Sequence, residues 1–184
     1  MSKDKIYWQY PLILALFAGI AGIILAIMFQ ITEPRKVLNL QKIENQARQE
    51  VLAQASVFQQ AKIGQYSFVK GLDANRKLKG YVLKVSSRGY SSDIKLLVGL
   101  DDKFNLVGLK VLAQAETPGL GTKITQPWFT KQFLGKPLNV LAVKKDGGEL
   151  DSITGATITS RAAVNGVRKE IELFKNLLQI KGNK

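Results

Sequence analysis

The sequence predicts an α+β protein in which a single N-terminal transmembrane helix precedes a mainly antiparallel sheet flanked by helices. Three observations predict this fold class: an uncharged apolar stretch near the N-terminus, strand-like segments between residues 81 and 111, and an apolar stripe with helical spacing near the C-terminus. A chain of 184 residues has room for one compact domain and accessory segments.

The N-terminal stretch carries no charge from Ile6 to Thr32. A helix of about 20 apolar residues crosses a bilayer. A cleaved signal peptide and a buried core helix are the alternatives, but the apolar region of a signal peptide is usually only about 7–15 residues long. No persuasive small-residue cleavage site follows Ala26. We therefore expect a retained transmembrane helix at residues 10–32 behind a short tail at residues 1–9.

The orientation of this helix follows from its flanking charges. Lys3 and Lys5 precede the helix, whereas Arg35 and Lys36 follow it. Long domains cross a membrane largely regardless of their charge, so the short basic tail is the better guide. We expect a single-pass protein of the inner membrane with a cytoplasmic N-terminus and with residues 33–184 on the extracytoplasmic side.

The composition excludes several classes of function. The chain has no cysteine and no histidine, which removes thiolate nucleophiles, the commonest general base and the usual zinc and haem ligands. We predict no catalytic residue, no metal site and no complete enzymatic activity for the chain alone. An organic cofactor that supplies its own chemistry fits this composition better.

The net charge of +13 indicates a basic surface. No run of lysine or arginine with interleaved aromatic residues occurs, so we predict no nucleic-acid partner. Membrane lipid with anionic headgroups and acidic neighbouring subunits are the expected partners. A generally solvated basic surface is the alternative.

Behind the apolar stretch, Pro34 predicts a break in the helix. Residues 37–61 then have the spacing of an amphipathic helix, so we assign residues 33–62 to a membrane-proximal helix and residues 63–184 to the main domain. The apolar residues of this helix are Leu40, Ile43, Ala47, Val51 and Ala55. We expect the helix to cover one face of the sheet, and a stalk or a docking surface is the alternative.

The main domain shows a hairpin, a loop and two helices. Residues 94–100 and 106–112 read as strands around a turn at 101–105, after an alternating segment that begins at Tyr81. Residues 116–122 form a loop rich in proline and glycine. A short helix with Trp128, Phe129 and Phe133, a strand at Val140–Val143, and a C-terminal helix follow. The apolar stripe of that last helix is Ala163, Val164, Val167, Ile171, Phe174 and Leu178, with Thr159 or Ser160 as its N-cap.

The segment Asp151-Ser152-Ile153-Thr154-Gly155-Ala156-Thr157 precedes this helix. It resembles the D-x-x-[ST]-G-A-[TS] site at which a flavin transferase esterifies FMN, through its phosphate, to the last threonine or serine. A phosphate near a helix N-terminus is well placed, because free N–H groups and the helix dipole favour an anion there. The alternative is an ordinary turn that leads into a helix.

Nearly the whole chain resembles the G subunit of the Rnf ion-translocating electron-transport complex and, more distantly, the C subunit of the sodium-pumping NADH:quinone oxidoreductase. The resemblance rests on the N-terminal apolar stretch, Gly89-Tyr90 with the hairpin, residues 116–121, the aromatic segment and residues 151–160. It implies an FMN-binding domain and covalent FMN on Thr157.

The resemblance also implies roles for two groups of residues. The transferase recognition sequence would be Asp151, Thr154, Gly155 and Ala156. The loop beside the isoalloxazine ring would be Glu116, Thr117, Gly119, Leu120 and Gly121. Family members often have a histidine at the position of Gln114, so a proton-coupled role of that position does not carry over.

Each of these roles has a structural alternative. Glu116 could be a solvated loop carboxylate or the partner of a nearby lysine, and Thr117 could cap its loop. Trp128 and Phe129 more often fill a core than stack on a flavin, and Tyr90 is expected to be structural.

The resemblance implies an electron-carrying subunit of a complex that couples ferredoxin and NAD(H) chemistry to Na⁺ or H⁺ transport. Its partners would be other integral membrane and redox subunits and a flavin transferase. Two alternatives are an extracytoplasmic FMN-domain reductase or regulator with a soluble acceptor, and a cofactor-free anchored assembly protein.

Overall fold

The computed structural model describes residues 4–182, so the first three residues of the predicted tail lie outside the described residues. The chain divides into an N-terminal unit that ends at Ile43 and a compact unit that begins at Glu44. The compact unit thus includes residues 44–62, which the sequence had assigned to the membrane-proximal helix. It also contains both candidate site segments.

The first helix, α1, spans Asp4–Val51, and from Gln9 onwards it is long and apolar enough to cross a membrane by length and composition. The predicted break at Pro34 is wrong, because the helix continues through that residue. Proline removes only one backbone donor. The residues that follow it are rich in strong helix formers such as leucine, lysine, glutamine and glutamate, which favour continuation.

The predicted helix over residues 37–61 is wrong in its last part. The chain leaves the helix at Val51 and enters a strand, β1, at Val57–Ile63. Leu52 and Ala55 mark the turn between them, since the Ala55 amide donates to the Leu52 carbonyl at 3.1 Å. Both side chains are buried, so the helical spacing of the apolar residues continues into a turn that packs on the sheet.

The sheet is a five-stranded antiparallel meander in the order β1-β2-β3-β4-β5. Its other strands are β2 at Tyr66–Leu72, β3 at Leu78–Arg88, β4 at Asp93–Asp101 and β5 at Leu106–Ala113. This architecture confirms the predicted fold class and the predicted hairpin. The strands β1 and β2 were not predicted.

Both faces of the sheet are covered. On one face, Ala47, Val51, Leu52 and Ala55 pack with side chains of the central strands, including Leu97. This packing confirms that the end of α1 covers the sheet. A Cβ at Gly99 would lie 2.0 Å from the Val51 carbonyl oxygen, so only glycine admits this approach. Burial on both faces explains why β4 is an apolar run rather than an alternating strand.

On the other face lies the C-terminal helix, α3, at Thr157–Gly182. Its predicted apolar stripe is confirmed: the stripe is buried against β3 and β4 from Ala163 to Phe174 and partly buried at Leu178. The N-cap prediction is wrong, because the helix begins two residues before Thr159, and Thr159 and Ser160 lie inside its first turn.

The chain between the sheet and α3 contains mainly short helical turns. The short helix α2 spans Pro127–Thr130, and 3₁₀ turns occur at Gly121–Thr125, Lys131–Phe133, Leu138–Val140 and Lys144–Asp146. The strand predicted at Val140–Val143 is wrong apart from one bridge between Val143 and Leu150. The segment is apolar because Leu141 and Val143 are buried, not because it joins the sheet.

Candidate functional site

The loop of residues 116–121 and the start of α3 meet at a cavity of about 610 Å³. Its volume is in the range of small-molecule and cofactor pockets, about 300–1,000 Å³. The lining residues are Tyr90, Thr117, Leu120, Gly121, Gly155, Ala156, Thr157, Ile158 and Thr159. Two segments that the sequence singled out separately therefore share one cavity.

The turn that leads into α3 is built by Ser160. Its Oγ accepts a hydrogen bond of 2.9 Å from the Ile153 amide and donates one of 2.9 Å to the Ala156 carbonyl. Gly155 has φ +78°, a backbone conformation that glycine adopts without strain. Ile153 and Ala156 are buried, so this turn has a fixed place in the core.

Thr157 is the first residue of α3 and lines the cavity. The first amides of a helix lack intrahelical acceptors and lie at the positive end of its dipole, so an anion is favoured beside Thr157. Thr159 also lines the cavity, but its hydroxyl donates to Glu116 at 2.6 Å. Thr154 is exposed and lies outside the cavity lining.

Glu116 is buried, with 4% of its surface exposed. Its Oε1 accepts from the amides of Ser91 at 3.0 Å and Ser92 at 2.9 Å and from Ser92 Oγ at 3.2 Å. Its Oε2 accepts from the Tyr90 amide at 3.1 Å and from Thr159. Neither open alternative for Glu116 fits: the side chain is buried, and none of the salt bridges among the described side chains of residues 9–180 joins it to a lysine.

The protonation of Glu116 follows from these contacts. Burial by itself raises the pKa of a carboxyl group. The hydrogen bonds from the Thr159 hydroxyl and from three backbone amides outweigh burial and hold the pKa of Glu116 below its usual value. The group is therefore a carboxylate at neutral pH.

Some of the other predicted site residues line the cavity and others do not. Thr117, Leu120 and Gly121 line the cavity, whereas Glu116 and Gly119 do not. Asp151 also lies outside the lining: its carboxylate pairs with Lys144 at 2.8 Å, and its amide donates to Gln132 Oε1 at 2.6 Å.

Sequence reasoning missed three lining residues, Tyr90, Ile158 and Thr159. The structural role expected for the Tyr90 side chain is wrong, because 67% of the residue is exposed and it lines the cavity. Ile158 and Thr159 directly follow Thr157 in the first turn of α3, so the motif that ends at Thr157 could have indicated that they also line the site. For Tyr90 the available signal was the family resemblance, which rests in part on Gly89-Tyr90.

The nearby aromatic residues and Gln114 have structural contacts. Phe129 and Phe133 are buried, which confirms the expected core role of Phe129. The core expectation is wrong for Trp128, which is 45% exposed and donates from Nε1 to Gln126 at 2.6 Å. Gln114 Oε1 accepts from the Glu116 amide at 2.7 Å.

The cavity combines an uncharged lining with a helix N-terminus. Leu120, Ile158 and Tyr90 offer apolar and aromatic surface, while the start of α3 offers backbone donors for an anion. A flat ring system that carries a phosphate fits this combination. The residues present are thus chemically suited to FMN.

Comparisons with known proteins agree with this chemistry. Residues 89–172 match the family described as FMN-binding domain, a range that contains the hairpin, the loop and most of α3. The G subunit of an ion-translocating oxidoreductase complex from Haemophilus influenzae is 36% identical over 96% of this chain and 94% of its own length. The corresponding G subunit of Methanosarcina acetivorans is 29% identical over 94% of this chain and 96% of its own length.

A solved structure supports the fold. The C subunit of the Na⁺-translocating NADH-quinone reductase from Parabacteroides distasonis aligns with a TM-score of 0.58 at 19% identity. The alignment covers 78% of this chain and 96% of that chain.

Proposed function

The chain belongs to the family of G subunits of the ion-translocating oxidoreductase complex, and we propose that it carries electrons in such a complex through FMN joined covalently to Thr157. The observation that carries the proposal is the shared cavity, in which Thr157 and the loop residues Thr117, Leu120 and Gly121 line the same space. FMN, when bound, supplies the electron transfer. The chain supplies the threonine to which FMN is attached and the residues that surround the flavin ring.

The attachment is a bond between Thr157 Oγ and the phosphorus of FMN, formed with the formal loss of one water. A threonine hydroxyl is a weak nucleophile, so a separate flavin transferase is required. Thr157 is the best acceptor in the segment because it lines the cavity, while Thr154 lies outside the lining and the Thr159 hydroxyl is engaged with Glu116. The exposed Asp151 is open to a transferase that reads this segment.

The attached phosphate lies at the start of α3. Its charge interacts favourably with the helix N-terminus, since the first-turn amides and the dipole both favour an anion. Gly155 and Ala156 leave space in the cavity beside Thr157, because neither carries a long side chain. Tyr90, Leu120 and Ile158 then offer aromatic and apolar surface on which the flavin ring can pack.

The setting is a membrane complex. We propose that residues 10–32 of α1 cross the inner membrane, that residues 1–9 are cytoplasmic, and that residues 63–184, which contain the FMN-binding domain, are extracytoplasmic. The partners are other integral and redox subunits linked to ferredoxin and NAD(H), and the basic surface contacts anionic lipid or acidic subunits.

The test is the intact mass of the full-length protein, purified from membranes of cells with an active flavin transferase, beside flavin fluorescence in a denaturing gel. We expect a mass increase of one FMN less one water and a modified peptide that contains Thr157. An unmodified mass would contradict the proposal. Co-purification with integral redox subunits distinguishes it from a reductase that uses a soluble acceptor.

A further inference from the structure

A buried negative charge lies directly behind the cavity wall. The Glu116 carboxylate accepts hydrogen bonds from Tyr90 and Thr159, and both of these residues line the cavity. The next residue in the chain, Thr117, is a third lining residue. The carboxylate therefore contacts two lining residues, and Glu116 directly precedes a third in the chain.

The carboxylate joins three separate parts of the chain. Its partners at residues 90–92 belong to the turn between β3 and β4, its own backbone begins the loop 116–121, and Thr159 lies in the first turn of α3. Each of these parts contributes lining residues. Glu116 thus positions the cavity walls relative to one another.

Two glycines lie in close contact with Glu116. A Cβ at Gly89 would lie 2.6 Å from Oε1 of Glu116, and a Cβ at Gly121 would lie 2.6 Å from the Glu116 Cβ. Real Cβ atoms do not make such contacts with fixed neighbours. Glycine at both positions allows the carboxylate to pack between the two loops.

The Glu116 carboxylate is held by hydrogen bonds from uncharged groups. Its hydrogen-bond partners are backbone amides and hydroxyl groups, and no lysine or arginine with a described side chain, between residues 9 and 180, forms a salt bridge with it. The lining of the cavity contains no charged side chain. A fixed charge acts over a longer distance in a partly buried site than in water, because screening by solvent is weaker there.

We propose that Glu116 is a positioning residue that also sets the reduction potential of the flavin, because its fixed negative charge opposes the addition of electrons to a ring in this cavity. The inference rests on the proposed function, since it requires FMN in the cavity. A reduction that adds an electron without a proton adds one negative charge to the ring, and repulsion from Glu116 makes that step less favourable. Glu116 thereby keeps the potential low.

The test is a potentiometric titration of the flavin in the purified full-length chain at neutral pH, with dithionite as the electron donor that is oxidised to sulfite. Glu116→Gln removes the charge and keeps a similar shape. We expect it to shift the one-electron equilibrium about tenfold towards reduced flavin, a rise of about 59 mV. Thr159→Val is the second variant of the test, because it removes one hydrogen bond to Glu116 and leaves the charge.

The two variants are expected to shift the potential in opposite directions. Without the Thr159 hydroxyl the carboxylate is less shielded, so the potential of Thr159→Val falls below that of the wild type. A purely structural role of Glu116 would shift both potentials in the same direction or leave both unchanged, and either result would overturn the inference. If Glu116→Gln does not fold, the direction of the shift in Thr159→Val decides the question.

The failure of this inference is distinguishable from the failure of the proposed function. A wild-type chain without flavin, from cells with an active transferase, overturns both. A flavin-bearing wild-type chain whose potential is unchanged in the Glu116→Gln variant overturns the inference alone.

Discussion

The Thr159 hydroxyl donates a hydrogen bond of 2.6 Å to the carboxylate of Glu116, a residue 43 positions earlier in the chain. Both residues are buried. The bond ties the first turn of α3, which begins with Thr157, to the loop that supplies Thr117, Leu120 and Gly121. The proposed attachment residue and the loop that lines the same cavity are therefore parts of one connected structure.

The stability of the compact unit is expected to depend on the charge of Glu116. The pKa of Glu116 is lowered from its ordinary value of 4.5, so folding favours the carboxylate. The stabilisation is fully present above that ordinary value and is lost as the pH falls below it, through the lower pKa of the folded state. At neutral pH we expect Glu116→Gln to lower the free energy of unfolding by about 2 kcal/mol.

Thermal unfolding of the wild type and of Glu116→Gln in detergent, from neutral pH to about pH 3, measures this difference. The difference in the free energy of unfolding between the two proteins should become smaller at acid pH, because the Glu116 carboxylate of the wild type is then protonated. Glu172→Gln is the control, because Glu172 is exposed and should give the pH dependence of the wild type. A difference between Glu116→Gln and the wild type that stays constant across this range would contradict the prediction.

Covalent flavin is expected to depend on a hydroxyl at position 157. Thr157→Ala should abolish flavin fluorescence in a denaturing gel while the circular dichroism spectrum and membrane insertion are retained. Thr157→Ser should restore the attachment because it restores the hydroxyl. Ser152→Ala removes a neighbouring hydroxyl and should keep full flavin content. Flavin bound covalently to Thr157→Ala would show that another residue is the acceptor.

The fold was predictable where side-chain patterns matched the packing. The stripe from Ala163 to Phe174 and the apolar run of β4 are buried as their patterns indicate. The strand β1 was missed because Gln59, Gln60 and Lys62 lie in a mostly exposed edge strand, which has little apolar alternation. The apolar spacing of the preceding helix also runs on through Leu52 and Ala55, so the sequence does not mark the end of the helix.

The lining of the cavity was predictable only in part, and its geometry was not predictable. The motif and the loop each indicated a flavin site, and the structure brings residues of both to one cavity. The residues next to Glu116 in the sequence are typical of an exposed loop, so the sequence does not indicate that its carboxylate is buried. Its burial depends on amides at residues 90–92, and the sequence does not show which distant amides will meet a carboxylate.

The loop 116–121 should tolerate a methyl group at one glycine and not at the other. A Cβ at Gly121 would lie 2.6 Å from the Glu116 Cβ and 3.2 Å from Thr159 Oγ1, so Gly121→Ala forces these residues apart. We expect a loss of about 2 kcal/mol and an altered visible spectrum of the bound flavin. Thermal unfolding and absorption spectroscopy measure the two effects.

Gly119→Ala is the control in the same loop. Gly119 has φ +76° and open space around its Cβ position, so alanine there costs about 1 kcal/mol from backbone strain alone. The flavin spectrum should not change. Equal spectral effects of the two variants would contradict a specific role for the contact between Gly121 and Glu116.

The side of the membrane that holds the flavin can be determined with introduced cysteines, because the chain has none of its own. Lys145 is exposed in the compact unit, and Ser2 lies in the proposed cytoplasmic tail. With a membrane-impermeant maleimide on spheroplasts, Lys145→Cys should react at once, whereas Ser2→Cys should react only after lysis. The charge on the short tail predicts this orientation, because Lys3 and Lys5 are retained on the cytoplasmic side. The opposite labelling pattern would place the flavin domain in the cytoplasm.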